Sequence, residues 1–196
     1  MTLTEVVSYA AFALLLVTSL ALLLSQNWRW SIIALAVQYV GVFWLVMLSW
    51  PIGLSVVKLV TGWMAGALIG SSQPAEELKD ATFSNIQGMV FRLGVSLVGL
   101  ILVFTTAPKL VDWIPAGQPV LLGALVLLVN GLLQLGMTTR PLRVILGLLT
   151  VLSGFEILYA VVEQSVLVAG LSSIITLGLA LLGAYLMAAP EMEAEE

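Results

Sequence analysis

The sequence predicts an all-α fold: a polytopic membrane helix bundle of about seven transmembrane helices. Three observations predict it. The 196 residues are 61% hydrophobic and only 9% charged, with a mean hydropathy of +1.13; a soluble domain is about 45–50% apolar and roughly 25% charged. The apolar residues come in runs long enough to cross ~30 Å of hydrocarbon, which takes about 20 residues of helix. The short alternating segments of a membrane β-barrel are not evident.

The first span is expected from about Val6 to Leu24, ending at the polar SQNWR. MTLTEVVSYAAF at its start lacks the Lys or Arg of a signal-peptide n-region and an obvious cleavage motif, so it reads as a retained helix. The second span runs from Trp30 to about Trp50, where Pro51 breaks it, and the third from Ile52 to about Gly70. The polar SSQPAEELKDATFSNIQG follows. The fourth span is Met89 to about Thr105, and APKLVDWIPAGQP with its interfacial-looking Trp113 leads out of it. The fifth is Val120 to Met137, closed by the basic turn TTRPLR. The sixth is about Arg143 to Val162 and the seventh about Val166 to Met187. The connections after spans two and six are very short, so both pairs are expected to be tight hairpins. Residues 1–188 then form one transmembrane domain, and 189–196 an acidic, solvated tail.

Loop cations set the orientation. Arg29, Lys79, Arg140 and Arg143, with Arg92 nearby, fall on the side of the C-terminus, and Lys109 falls on the other. The N-terminus is therefore expected outside and the C-terminus in the cytoplasm. Trp28, Trp30 and Trp50 are expected as interfacial anchors. Residues 1–70 and 119–188 share a plan of helix, basic turn, helix, short turn, helix. Setting Arg29 on Arg143 puts Pro51 opposite Ser165 and Lys58 opposite Ser172 without a gap. Identities are few, and apolar helices match cheaply.

The chain has no Cys and no His. That removes the usual ligands of haem, iron–sulfur clusters and zinc, so no cofactor and no metal site is expected. No basic patch points to nucleic acid. No Walker loop or nucleophile elbow is present, and no autonomous catalytic site is expected.

Charges inside the spans carry the functional signal, because each costs several kcal/mol near the bilayer centre and usually faces the bundle interior. Lys58 and Glu156 are the deep pair, while Arg92 and Glu163 lie near enough to span ends to reach the interface. Two accounts of Glu156 stand side by side. In one it takes up and releases a proton in a polar chain, with Lys58 tuning it or relaying. In the other it is neutral or ion-paired, to Lys58 or to a neighbouring subunit, and fixes helix packing. Gln38, with Tyr39 beside it, could line a hydrated path, as could Asn130 and Gln134 on one face of span five; interhelical hydrogen bonds are the plainer role for all of them. Gly62, Gly66 and Gly70 form a small-residue stripe that suits close helix packing.

LRVILGLLTVLSGFEILYAVV, followed by a short turn and SSIITLGLALLGAYL, resembles the second and third helices of the complex I subunit K family. That family includes membrane-arm subunits of hydrogenase-4 and formate hydrogenlyase and the small subunit of Mrp-type antiporters. SGFEILYA resembles the family's step that sets a carboxylate mid-helix, here Glu156. The longer chain is most similar to the hydrogenase-4 E-type subunit, with NWRWSIIALAVQYVGVFWLV and VVKLVTGWMAGALI as an upstream set. The resemblance covers the last third of the chain. Where the family carries a second acid on the next helix, this chain has Ile174 or a close neighbour, which puts a complete two-carboxylate path in doubt.

The resemblance implies a noncatalytic integral membrane subunit of a proton- or sodium-coupled oxidoreductase complex, multi-pass in a prokaryotic cell membrane. Glu156, Lys58 and Gln38 would lie on the ion path, and other membrane subunits, including antiporter-like ones, would be partners. The alternative expectation is a small independent ion or metabolite transporter, which buried charges and internal repeats would also suit.

Overall fold

The computed structural model describes residues 3–73, 86–111 and 113–194. Their regular structure is helical throughout: α1 (Leu3–Leu24), α2 (Trp28–Met47), α3 (Ile52–Ser71), α4 (Ile86–Leu110), α5 (Gln118–Gly136), α6 (Pro141–Val162) and α7 (Val166–Ala194). All seven are long and apolar enough to cross a membrane, which makes the chain a multi-pass membrane protein by the length and composition of its helices. Lys79 and most of the polar stretch before α4 lie outside the described residues.

The boundaries have local causes. The Asn27 side chain accepts the Arg29 amide at 3.0 Å and caps the start of α2. Pro51 caps α3, and Pro119 and Pro141 sit in the first turns of α5 and α6, where a missing N–H costs nothing. Glu163 leaves α6 in an extended conformation (φ −138°, ψ 133°) and so ends that helix. Two expectations shift. α4 continues to Leu110 with Pro108 inside it, because only the final turn lies beyond that proline. α7 continues to Ala194, although its apolar length ends at Ala188.

The bundle has two rows. α1, α2 and α3 pack side by side, as do α5, α6 and α7; across the rows α1 meets α5, α2 meets α6 and α3 meets α7. α4 lies outside, against α5. The connections alternate ends, so facing helices run parallel. Bonds between rows therefore join positions at matching depth. Lys58 and Ser172 are 114 positions apart, as are Arg29 and Arg143 in the sequence alignment. At the two hairpins, Trp50 Nε1 donates to the Glu163 carbonyl at 2.8 Å and Gln164 Nε2 to the Ser49 carbonyl at 2.7 Å. Any two rows stacked in register would pair this way, whatever their ancestry.

Trp50 departs from its expected role. It is 5% exposed and sits inside the bundle instead of at a lipid interface, because its indole N–H finds the Glu163 carbonyl there. Trp30 and Trp113, 66% and 86% exposed, do face outward.

Candidate functional site: a buried Lys–Glu pair

α3, α6 and α7 converge on one charged group. Lys58 Nζ donates to Glu156 Oε1 at 2.7 Å, and the side chains are 2% and 4% exposed. Ser172 of α7 completes a triangle: its hydroxyl donates to Glu156 Oε1 and accepts from Lys58 Nζ. The Lys58 register on α3 and the Glu156 register on α6 meet because the two rows stack at matching depth. Glu156 is six residues before the end of α6 at Val162, or about 9 Å along the axis at ~1.5 Å per residue. The pair thus lies in the half of the bundle away from the arginines, and Glu156 is nearer a helix end than the sequence placed it.

Polar groups step away from the pair along one face of α6. Ser153 and Thr150 return their hydroxyl protons to Leu149 O and Leu146 O, both at 2.8 Å, so each keeps acceptor capacity only. Tyr39 faces Ser153 and Glu156, fully inside the protein. Gln38 Nε2 reaches Thr150 Oγ1 at 3.4 Å, a weak bond. Three buried atoms on this ladder, Glu156 Oε2, Tyr39 OH and Gln38 Oε1, have no hydrogen-bond partner among the described residues. Native interiors seldom leave buried polar atoms unpaired without reason. Beyond Gln38 the ladder stops at a plug of Leu35, Ala65, Ile69, Leu146 and Leu149.

Asn130, Gln134, Arg143 and Arg92 have structural partners. Asn130 Nδ2 donates to Ser19 Oγ at 2.9 Å and Asn130 Oδ1 accepts from Ser96 Oγ at 2.8 Å, tying α5 to α1 and α4. Gln134 Nε2 caps the Arg143 carbonyl at 3.0 Å. At the arginine end, Arg143 Nη2 and Arg92 Nη1 donate to the Ser25 and Leu23 carbonyls, where α1 runs out of internal donors. Glu163 is exposed.

The glycine stripe divides. A Cβ on Gly62 would overlap the Tyr39 ring, so this glycine seats the tyrosine beside Glu156. A Cβ on Gly66 would find Ile32 at 3.8 Å and Leu35 at 4.0 Å, both ordinary contacts, and one on Gly70 would meet Ile32 at 3.2 Å. The stripe packs α3 on α2 of its own chain. The tightest backbone approach is elsewhere: a Cβ on Gly154 would stand 2.8 Å from the Ala124 carbonyl and one on Gly131 2.9 Å from the Val151 amide. The missed signal is that Gly131 and Gly147 face each other across the short α5–α6 turn, while Gly154, a close-approach point legible beside Glu156, meets Ala124 and Leu128.

One cavity, of about 130 Å³, adjoins the pair between α6 and α7. Glu156 and Ser172 line it together with Trp50, Phe155, Tyr159 and Leu171. Comparison with protein-family models, with curated proteins and with solved structures finds no match to this chain.

Proposed function

We propose that this chain is a noncatalytic membrane subunit of a proton- or sodium-coupled oxidoreductase complex, of the hydrogenase or complex-I-like membrane-arm kind, and that Glu156 and Lys58 lend one link to its ion path. The observation that carries this reading is the buried Lys58–Glu156 pair at the head of a polar ladder. An ion pair in such surroundings gains little net stability over well-packed apolar residues. Intramembrane ionisable residues more often mark ion or proton pathways. The ladder descends through Tyr39 and Ser153 to Gln38 and Thr150, then meets apolar side chains. A path of that length, about 9 Å from Glu156 to Thr150, is roughly a third of a ~30 Å crossing, which suits a subunit whose neighbours supply the rest. The likeness of SGFEILYA to the subunit K step supports the same assignment. Antiporter-like subunits are the partners it implies.

The test is Glu156→Gln in the assembled complex. Ion pumping should fall while assembly persists, and full pumping in an intact complex would remove the relay role. The stacking of two parallel three-helix rows favours a second reading, an independent small transporter, since parallel repeats recur in such folds. Solute flux by the purified chain alone in liposomes would select it.

A further inference from the structure

We propose that the cleft between α6 and α7 is a ligand site, entered sideways from the bilayer, for a small lipid-soluble ring molecule bearing a hydroxyl donor, of the phenol class. Its hydroxyl would bond the free oxygen of Glu156. The proposal rests on the geometry around Glu156 and holds whether or not that residue conducts ions.

Four observations converge. The first is size. The cleft measures about 130 Å³, and an apolar protein cavity of about 150 Å³ takes up benzene. One ring fits, whereas a phospholipid headgroup or a partner helix does not. The second is chemistry. Glu156 Oε1 already accepts from Lys58 and Ser172, while Oε2 is buried and has no partner among the described residues. Leaving such an acceptor unpaired costs about 1–3 kcal/mol. Water is a poor remedy, because a buried water needs two to four polar partners and these walls are almost wholly apolar. An apolar ring with one donor satisfies both the walls and the oxygen.

The third observation is access. Phe155 and Leu171, one from each helix, are 55% and 52% exposed and form the mouth on the lipid-facing side. Trp50, 5% exposed and pinned to the Glu163 carbonyl, is buried against the cleft beside the α6–α7 turn. The fourth is depth. Glu156 lies about 9 Å inside the end of α6. A donor must reach that level within hydrocarbon, which favours a weakly polar hydroxyl over a charged head.

The experiment uses the full chain in lipid nanodiscs and two carbodiimides. The Glu156 carboxylate would add to the central carbon of lipid-soluble diisopropylcarbodiimide, which carries no ring, while the neighbouring Lys58 ammonium supplies the proton. The proton passes to the carbodiimide nitrogen; the acylisourea then either rearranges to a stable N-acylurea with no atom lost or hands its acyl group to the Lys58 amine, forming an amide and releasing diisopropylurea. Mass spectrometry should find one of these two products at Glu156, the N-acylurea or the Lys58–Glu156 amide, and a water-soluble carbodiimide should leave Glu156 unmodified. Excess alkylphenol should slow the labelling about tenfold or more, as should Leu171→Trp, which fills the cleft from α7. Ile175→Trp serves if Leu171→Trp does not fold, and the phenol protection needs no substitution.

Absence of reaction with the lipid-soluble reagent overturns lateral access. Equal labelling by the water-soluble reagent, or labelling unaffected by phenol, overturns the ligand site. Pumping by a Glu156→Gln complex bears only on the ion path, so the two ideas fail separately.

Discussion

Replacing Lys58 by Met removes one partner of the buried pair and keeps most of the side chain's volume. At 2.7 Å and an effective dielectric of 20, the attraction between Lys58 and Glu156 is about 6 kcal/mol. Desolvating each ion costs several kcal/mol, so the intact pair comes close to breaking even. The single substitution does not, because it strands the other charge. Lys58→Met should therefore lower stability by about 3–5 kcal/mol. Glu156→Gln should also destabilise, leaving the Lys58 ammonium with Ser172 as its remaining polar neighbour. The double variant Lys58→Met/Glu156→Gln should recover most of the loss, since neither side chain then carries charge. The assay is reversible unfolding in mixed micelles, followed by helical circular dichroism, for all four members of the cycle. Additive effects, agreeing within about 0.5 kcal/mol, would refute the pairing as an energetic unit.

Gly62→Ala should cost about 1–3 kcal/mol, because its methyl group meets the Tyr39 ring, whereas Gly66→Ala should be neutral or stabilise by up to ~1 kcal/mol; unfolding midpoints separate the two. Asn130→Leu should cost about 1–2 kcal/mol by leaving Ser19 and Ser96 without their shared partner, read in the same micelle assay. A fluorescent reporter fused to the C-terminus is expected to be active in the cytoplasm if Arg29, Arg92, Arg140 and Arg143 at that end of the bundle follow the positive-inside bias; a reporter active only outside the cell would reverse the orientation.

The helices were legible because their cause is local. Each apolar run must close its own backbone hydrogen bonds in lipid, and length alone then identifies it. Pro51, Pro141 and the GluGlnSer turn after Val162 cut the runs where the chain could not continue as helix. Glu156 and Lys58 stood out for the same reason, since a charge in such a run has no cheap local explanation. Setting Arg29 on Arg143 put Lys58 opposite Ser172 and said nothing of the depth of Glu156.

Contacts across helices were another matter. Spacing put Gly62, Gly66 and Gly70 on one face, but only the position of Tyr39 on α2 decided that Gly62 is the indispensable one. Trp50 looked like an interfacial anchor until the α6–α7 hairpin brought a carbonyl to its N–H. Ser172 is an ordinary serine in an apolar helix; the stacking of α7 on α3 turned it into the third member of the charged group. Composition and periodicity determine which segments cross a bilayer, because that depends on each segment's own backbone and side chains. Which buried charge meets which partner, and which carboxylate oxygen is left without one, depends on how seven similar rods are arranged, and many arrangements satisfy the same hydropathy.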